Sequence, residues 1–340
     1  MQRKAIGLLS GGLDSILAIR MIMDQGVDVT ALTISLPFVR TSVETPAAAA
    51  DWLGVPLLTV EVGDDYIDLL RNPKFGYGKA FNPCIDCRVY MLGIARRAME
   101  REGASFVVTG DVLKQRPKIQ RPDALRIEDN YSGLEGRVLR PLSALLLPPT
   151  EPERECVVNR AALLGLSGRS RRTQIELATF YGLERFNSPA GGCPLADRQF
   201  GDKARALLAS VRHVSTEDLA LLKRGRHFYM RDTHIILGRS QRENRVLADA
   251  RTSEDGLVRI VEYGGPTALV RGRVDRKALA QAAHLTVAYS DAPTDAIVGV
   301  EYVAPTGCGS VIVEQTTASS TAAPVVRWSG PVSRTLRAVA

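Results

Sequence analysis

No stretch of this sequence approaches the roughly 18–20 consecutive apolar residues that would span a bilayer, so a membrane-anchored protein is not expected. The opening QRKAIGLL resembles the start of a secretory leader, but Gly11, Gly12 and Asp14 interrupt the apolar stretch before any cleavage site, which points to a cytoplasmic protein. Histidine is scarce, four in all, and the two nearest the cysteine segments, His213 and His227, have no ligand spacing to them. The five cysteines are an odd set; in a cytoplasmic chain they favour metal, cluster or redox chemistry over structural disulfides. Internal repeats are absent. What the chain does have is length and a mild basic excess. Its 340 residues, 45% hydrophobic and 24% charged, suit two domains, and 44 Lys and Arg against 37 Asp and Glu leave +7, which suits a polyanionic partner.

From residue 4 to about 210, apolar runs without alternation take turns with helical patterns, as in a parallel sheet covered on both faces. Strands are expected at 4–10, 27–35, 56–62, 105–111 and 137–147, and helices at 14–25, 47–53, 87–102, 153–164, 171–181 and 200–208. The basic stretch 113–130, LKQRPKIQRPDALRIEDN, contains two X-Pro steps and reads as a loop at the carboxyl end of the fourth strand, the edge where open α/β sheets bind ligands. Beyond residue 211, HFYMRDTHIILGR, GLVRIVEYGG, TALVRGRV and VGVEYVAP read as strands with turn signals. The expected class is α/β: a parallel-sheet domain over 1–210 and a smaller α+β domain over 211–340. The last two dozen residues, rich in Thr, Ser, Ala and Pro, read as an unordered tail.

SGGLDS (10–15) follows the first strand and opens a helix. Gly11 and Gly12 let backbone N–H groups approach a phosphate, the hydroxyls of Ser10 and Ser15 add donors, and the helix N-terminus favours negative charge. Neither G-x-x-x-x-G-K-[ST] nor G-x-G-x-x-G occurs here, which sets aside the two commonest phosphate loops. In an anion site the Asp14 carboxylate makes most sense as a Mg²⁺ ligand; the plainer alternative is a glycine turn capped by Asp14 and Ser15. Thr109, Gly110 and Asp111, ending the fourth strand, would help hold the nucleotide.

NPCIDC (82–87) puts Cys84 and Cys87 at a helix start, where the dipole lowers thiol pKa, and PAGGC brings Cys193 on a glycine loop. Three sulfurs suit an open [4Fe–4S] cluster with one iron free for an outside ligand. A pair of catalytic thiols or persulfides is the second reading, and zinc, which wants a fourth ligand, the third. Cys156 is expected as a small core residue and Cys308 as a bystander. Lys114, Arg116, Lys118 and Arg121 lie beside the nucleotide edge. Arg169, Arg171 and Arg172 open a helix, and Lys223, Arg224, Arg226, Arg231, Arg239, Arg242 and Arg245 crowd the second domain. Such clusters supply RNA phosphate contacts, or simply a solvated surface. Phe228 and Tyr229 are candidates for stacking on bases or for a strand's core.

SGGLDS after an N-terminal strand resembles the signature of PP-loop ATP pyrophosphatases, an adenine nucleotide alpha hydrolase-like fold whose members split ATP into AMP and pyrophosphate to activate an oxygen. NPCIDCRVYMLGIARRAMEREGASFVVTG and PAGGCPLADRQF are similar to the segments of tRNA 2-thiouridylases that carry two catalytic cysteines, matching Cys87 and Cys193. Many of those enzymes have aspartate where this chain has Cys84, so the likeness is to the iron–sulfur-dependent members. VTGDVLKQRPKIQ, LRIEDN and LRPLSALLLPPTE resemble the PP-loop domain of tRNA 4-thiouridine synthetases, which implies substrate or phosphate contacts for Gln115, Arg116 and Gln120. GRHFYMRDTHIILGRSQRENRVL resembles the RNA-binding module of ribosome-rescue and fibronectin-binding type proteins, which implies RNA binding in the C-terminal domain. Taken together the resemblances imply an ATP- and Mg²⁺-dependent tRNA uridine thiolase, supplied with sulfur by sulfide, a cysteine desulfurase or a persulfide carrier, and compatible with a homodimer. The rivals are an amidating or lysidine-forming PP-loop enzyme, although no glutaminase-like stretch is visible, and a non-catalytic ATP- and RNA-binding protein.

Overall fold

The computed structural model describes residues 2–39, 45–116, 118–186, 192–315 and 326–329. Contacts divide the chain into two units, Met1–Gly201 and Asp202–Ala340.

The first unit runs β1 (Lys4–Leu8), α1 (Leu13–Met23), β2 (Asp28–Ser35), α2 (Pro46–Leu53), β3 (Leu57–Glu61), α3 (Asp65–Arg71), α4 (Cys84–Arg101), β4 (Phe106–Val108), α5 (Pro122–Ser132), β5 (Val138–Leu139), α6 (Glu151–Arg154) and α7 (Arg172–Phe180). Its five strands are all parallel in the order β3-β2-β1-β4-β5, with Ala5 paired to Val29 on one side and to Phe106 on the other. Alternation along the strands feeds two cores. Ala5, Val29 and Phe106 pack with Leu17 and Ile19 of α1 and Ala178 of α7, whereas Ile6, Leu32 and Val107 pack with Leu92 and Ala95 of α4. Strand order reverses at β1, so the crevice beyond the carboxyl ends of β1 and β4 is the switch point where open α/β sheets take ligands.

Several elements differ from expectation for local reasons. The stretch 113–130 is not one loop: Pro122 stands in the first turn of α5, where its missing N–H costs nothing. The expected strand 137–147 shrinks to Val138–Leu139, because Pro141 follows and Ala144–Leu146 winds as a 3₁₀ turn. The helix expected over 153–164 is only the four-residue α6, which holds a Thr150–Glu153 capping box. Cys156, just beyond it, has φ +55° and is exposed, so it is not a core residue.

Helix α8 (Arg198–Ser210) spans the division between the units. The second unit continues with α9 (Thr216–Leu221), β6 (Arg226–Met230), β7 (Thr233–Leu237), α10 (Gln241–Asp249), β8 (Gly256–Ile260), β9 (Thr267–Gly272), α11 (Arg276–Ala288), β10 (Ile297–Ala304), β11 (Gly307–Glu314) and β12 (Val326–Ser329). The strands form one antiparallel sheet, β12-β11-β10-β8-β9-β7-β6. Leu279, Ala282 and Ala283 of α11 share a core with Val258, Val270 and Val300. The expected tail lies mostly outside the described residues, yet VRWS within it pairs with β11 as β12. Among the described residues, no helix is long and apolar enough to cross a membrane.

Candidate functional site

The turn between β1 and α1 is a cradle of donors. Gly11 sits at φ +74°, a left-handed conformation open to glycine, and Gly12 in extended conformation caps α1. The Ser15 hydroxyl donates to the Gly12 carbonyl at 2.7 Å and accepts from the Ser10 amide at 3.3 Å. The Ser10 hydroxyl stands 3.3 Å from that of Ser15 and accepts from the Gly12 amide at 3.4 Å. Asp14 lies in the first turn of α1; its Oδ2 accepts from Gln115 Nε2 at 3.1 Å, while its buried Oδ1 has no hydrogen-bond partner among the described residues. A buried carboxylate oxygen left unpaired at a helix N-terminus is open to a cation, so the residues present fit a divalent metal.

Gly110 is what brings β4 to the cradle. A Cβ there would stand 2.5 Å from the backbone carbon of Asp14 and from the amide nitrogen of Ser15. Gly110→Ala is therefore expected to push the end of β4 off the first turn of α1, costing about 1–3 kcal/mol and weakening nucleotide affinity. A thermal melt and an ATP titration check this; a variant matching the wild type in both would show that the strand end yields freely. Thr109 is buried and its hydroxyl donates to Asp111 Oδ2 at 2.8 Å, so that side chain is engaged inside the unit.

Asp111 in turn belongs to a buried ionic cluster. Arg88 Nη2 pairs with Asp111 Oδ2, and Arg88 Nε stands 3.5 Å from Glu128 Oε2. Arg140 donates to both oxygens of Asp129, at 2.9 and 2.7 Å, and its Nε lies 3.8 Å from Asp111. Two guanidiniums thus face three carboxyls. The guanidiniums hold Asp111 below the ordinary carboxylate range against its burial, whereas burial pushes Glu128 up to about 8 despite Arg88. The folded protein keeps the Glu128 proton over a range where the unfolded chain has released it, so stability falls as pH rises from the ordinary glutamate value towards about 8. Glu128→Gln is expected to flatten that fall in Tm between about pH 5 and pH 8; an identical slope in the variant would assign the dependence to another group.

One helical position before Arg88 is Cys87. Its sulfur accepts from the hydroxyl of the buried Tyr66 at 3.4 Å, and Asn82 Nδ2 donates to Cys84 Sγ at 2.9 Å. The loop of Cys193 is tied to this region through the Phe81 amide, which donates to the Leu195 carbonyl at 3.2 Å. The three thiols lie within electrostatic reach of one another around Tyr66. Burial raises the Cys87 thiol, and it lifts Cys193 to about 11 although the Leu195 and Ala196 amides point at that sulfur. Desolvation here outweighs the helix-start effect expected from the sequence. Among the described residues, no three His, Cys, Asp or Glu side chains already form a metal-holding group. The donor chemistry nevertheless fits a thiolate-bound cluster: three sulfurs, and neutral donors aimed at two of them.

The candidate RNA-binding residues are scattered. Lys114, at φ +60°, borders a shallow groove with Arg121, Pro122, Asp123 and Arg169, and Pro122 and Asp123 also line a second cleft of ≈ 600 Å³ that includes Arg126 and Arg154. Arg116 and Lys118 are exposed beside it. Arg172 pairs with Glu176 at 3.0 Å, and Arg171 precedes it, partly buried. In the second unit Arg226 lies over the Tyr289 ring at 4.8 Å and Arg239 pairs with Glu243 at 2.7 Å. Phe228 packs against Tyr289 and the core of that unit, and Tyr229 stacks on His234 at 4.9 Å, so both rings are engaged within it. Sequence reasoning missed Tyr66, Asn82, Arg88, Glu128 and Arg140; only Asn82, two residues before a cysteine, offered a local signal.

Residues 1–147 match the family model described as thiamine biosynthesis protein (ThiI), and residues 225–324 match that of the NFACT protein RNA binding domain. A tRNA-specific 2-thiouridylase MnmA of Endomicrobium trichonymphae is 33% identical over 120 residues, 29% of this chain and 33% of that protein. The Sulfurimonas denitrificans MnmA is 30% identical over 122 residues, covering 34% and 36%, and the MnmA 1 of Clostridium tetani 22% identical over 196 residues, covering 52% and 54%. The chain thus spans about a third to a half of the length of these relatives. A solved 4-thiouridine synthetase–RNA complex with bound ATP overlaps 65% of this chain and 52% of that chain, at TM-score 0.35 and 21% identity. The two family matches cover the segments SGGLDS, NPCIDC and GRHFYMRDTHIILGR: one polypeptide joins a ThiI-like segment at its N-terminal side to an NFACT-like segment at its C-terminal side.

Proposed function

We propose that this chain is an ATP-dependent tRNA uridine thiolase. The carrying observation is that a single parallel-sheet unit holds an anion cradle bearing a carboxylate with one unpaired buried oxygen and, beyond the Asp111–Arg88 ion pair, three thiols around Tyr66. ATP lies with its phosphates on the amides and hydroxyls of residues 10–15. A carbonyl oxygen of a tRNA uridine attacks the α-phosphorus and pyrophosphate departs, leaving the base joined to AMP through that oxygen. Sulfide then attacks the ring carbon that bears that oxygen, the C–O bond breaks as AMP leaves carrying the oxygen, and loss of the S–H proton leaves the C=S group. Preorganised N–H and O–H donors of the cradle take up the charge that develops on the phosphates. Asp14 would hold Mg²⁺, which supplies charge neutralisation between the phosphates. A [4Fe–4S] cluster on Cys84, Cys87 and Cys193 would supply an open iron for the incoming sulfur.

The groove lined by Lys114, Arg121 and Arg169 supports a polyanionic substrate beside the cradle, and the NFACT-like segment, with Arg226 and Arg239, supports a second hold on the RNA. The MnmA relatives are tRNA thiolases by name, which favours tRNA as that RNA and disfavours the amidating and lysidine-forming rivals. The test is anaerobic incubation of the purified protein with ATP, Mg²⁺, sulfide and bulk tRNA, following pyrophosphate and thiolated nucleoside, beside iron and acid-labile sulfide analysis. Both products together support the reading. About four irons per chain would support the cluster, and iron-free protein that thiolates only when a cysteine desulfurase with cysteine and a thiol reductant replaces sulfide would move the sulfur to a persulfide on Cys87 or Cys193, the two ending as a disulfide that the reductant reopens. Pyrophosphate without thiolated nucleoside would transfer the chain to the amidating rival, and bound ATP without turnover to the non-catalytic one.

A further inference from the structure

Between the nucleotide cradle and the thiols runs a chain of hydrogen bonds, carried through the backbone beside Gln115 and again from Arg88 to Cys87, that the chemistry above does not need. Gln115 Nε2 donates to Asp14, and the Gln115 backbone amide is fixed to the Val112 carbonyl at 3.2 Å. On either side of Gln115, the Lys114 amide donates to the Gln120 carbonyl and the Arg116 amide to Gln120 Oε1, both at 2.7 Å. Gln120 is 5% exposed, and its Nε2 donates to Asp111 Oδ1 at 3.1 Å. The other oxygen of Asp111 takes Arg88, whose neighbour in the first turns of α4 is Cys87. Both ends of the Gln120 amide and both oxygens of Asp111 are thus engaged, in a setting where an unpaired polar group is costly.

The path begins at the carboxylate that a bound cation would draw upon. Gln115 holds Oδ2 of Asp14 while a phosphate-bound cation would take the unpaired Oδ1, so a cation that turns this carboxylate towards itself loads the Gln115 contact. The turn that carries Gln115 also holds Lys114 at φ +60°, an uncommon conformation for a residue that carries a Cβ. Displacing Gln115 therefore pulls on Gln120, and through it on Asp111 and Arg88.

We infer that Asp111, Gln120 and Arg88 are positioning residues that transmit filling of the nucleotide cradle to the thiol-bearing end of α4, so that Cys87 is set in place only when ATP is bound. This rests on the reading of the cradle as an ATP site. Such an arrangement holds the sulfur step back until an activated base can exist, and it explains why the first turn of α4 is anchored by a buried ion pair to a strand end rather than by a cap of its own.

Hydrogen–deuterium exchange of the full-length protein, with and without ATP and Mg²⁺, tests it through two peptides, one over residues 9–20 and one over residues 84–92. In the wild type, ATP should slow exchange in both, by roughly fivefold or more in the second. In Gln120→Met, which keeps the bulk and breaks the path, ATP should still protect 9–20 and no longer protect 84–92. Asp111→Asn, which keeps the shape and removes the charge that holds Arg88, should behave likewise if Gln120→Met folds poorly. Glu128→Gln, which touches Arg88 from off the path, should keep the full response. Protection of 9–20 without any effect on 84–92 in the wild type overturns the coupling alone. Loss of the response in Glu128→Gln as well would reduce it to general loosening and overturn it too. Absence of protection at 9–20 overturns the ATP reading and takes the coupling with it.

Discussion

Replacing Asp14 by alanine is expected to abolish pyrophosphate release while leaving the fold intact. The carboxylate contributes little to stability: one oxygen accepts a single amide hydrogen bond and the other is buried without a partner among the described residues. Removing it relieves an unpaired buried acceptor, so the thermal midpoint should hold or rise slightly. Its loss is costly only where a cation is needed. A metal that neutralises transferring phosphates contributes several kcal/mol to the barrier, and loss of a cation ligand should lower turnover by about a thousandfold or more. The measurement is pyrophosphate release with bulk tRNA, beside a melt and an ATP titration. A variant that keeps its turnover would leave Asp14 as the cap of a glycine turn.

The second large effect separates the two halves of the chemistry. Alanine at Cys84, Cys87 or Cys193 should reduce thiolation to background while tRNA-dependent pyrophosphate release continues, because adenylation uses the cradle and the sulfurs serve only the later step. The three should not be equal on the persulfide route. There Cys84, whose sulfur accepts from Asn82 rather than from Tyr66, is the dispensable member, and normal thiolation in Cys84→Ala would assign the chemistry to Cys87 and Cys193. Equal loss in all three, together with loss of iron, is the outcome expected of a cluster. Loss of pyrophosphate release as well would show that the thiol pocket shapes the ATP site.

The cradle was legible in the sequence because its signal is contiguous: a buried strand, two glycines, two hydroxyls and a helix start within a dozen residues. Strands β1 to β4 were legible for a related reason, since a strand buried on both faces shows as an apolar run in any context. The errors fell where one residue has two uses. Pro122 was taken as a breaker, although a proline in the first turn starts a helix as readily as it stops one. RVLRPLSALLL is apolar enough for a strand, and its apolar residues are indeed partly buried, but they turn as 3₁₀ after two residues of ladder. The ionic cluster left no trace at all. Residues 88, 111, 128 and 140 have no periodic relation; Arg88, Glu128 and Arg140 each alone read as ordinary surface charges, and Asp111, expected beside the nucleotide, turns its carboxylate to Arg88 and Arg140 instead. Expected pKa behaviour failed the same way: a cysteine at a helix start suggests a reactive thiolate, and burial beside Tyr66 reverses the sign.

Two loops far apart in the chain, those of Asn82 and Leu195, meet through one backbone hydrogen bond. Between Cys87 and Cys193 run most of α4, then β4, α5, β5, α6 and α7, nearly half of the sheet and its covering helices. Any covalent bridge through those sulfurs, whether by way of a shared cluster or by oxidation to a disulfide, closes a ring of about 100 residues, and in the chain-entropy picture such a ring lowers the entropy of the unfolded state by the equivalent of roughly 4–5 kcal/mol. The sulfur chemistry and the endurance of the fold are then a single variable. On the proposed cluster reading, protein stripped of that cluster by air and kept reduced would lose function and mechanical closure at once, and its half-life in a cell would report the oxygen it has met.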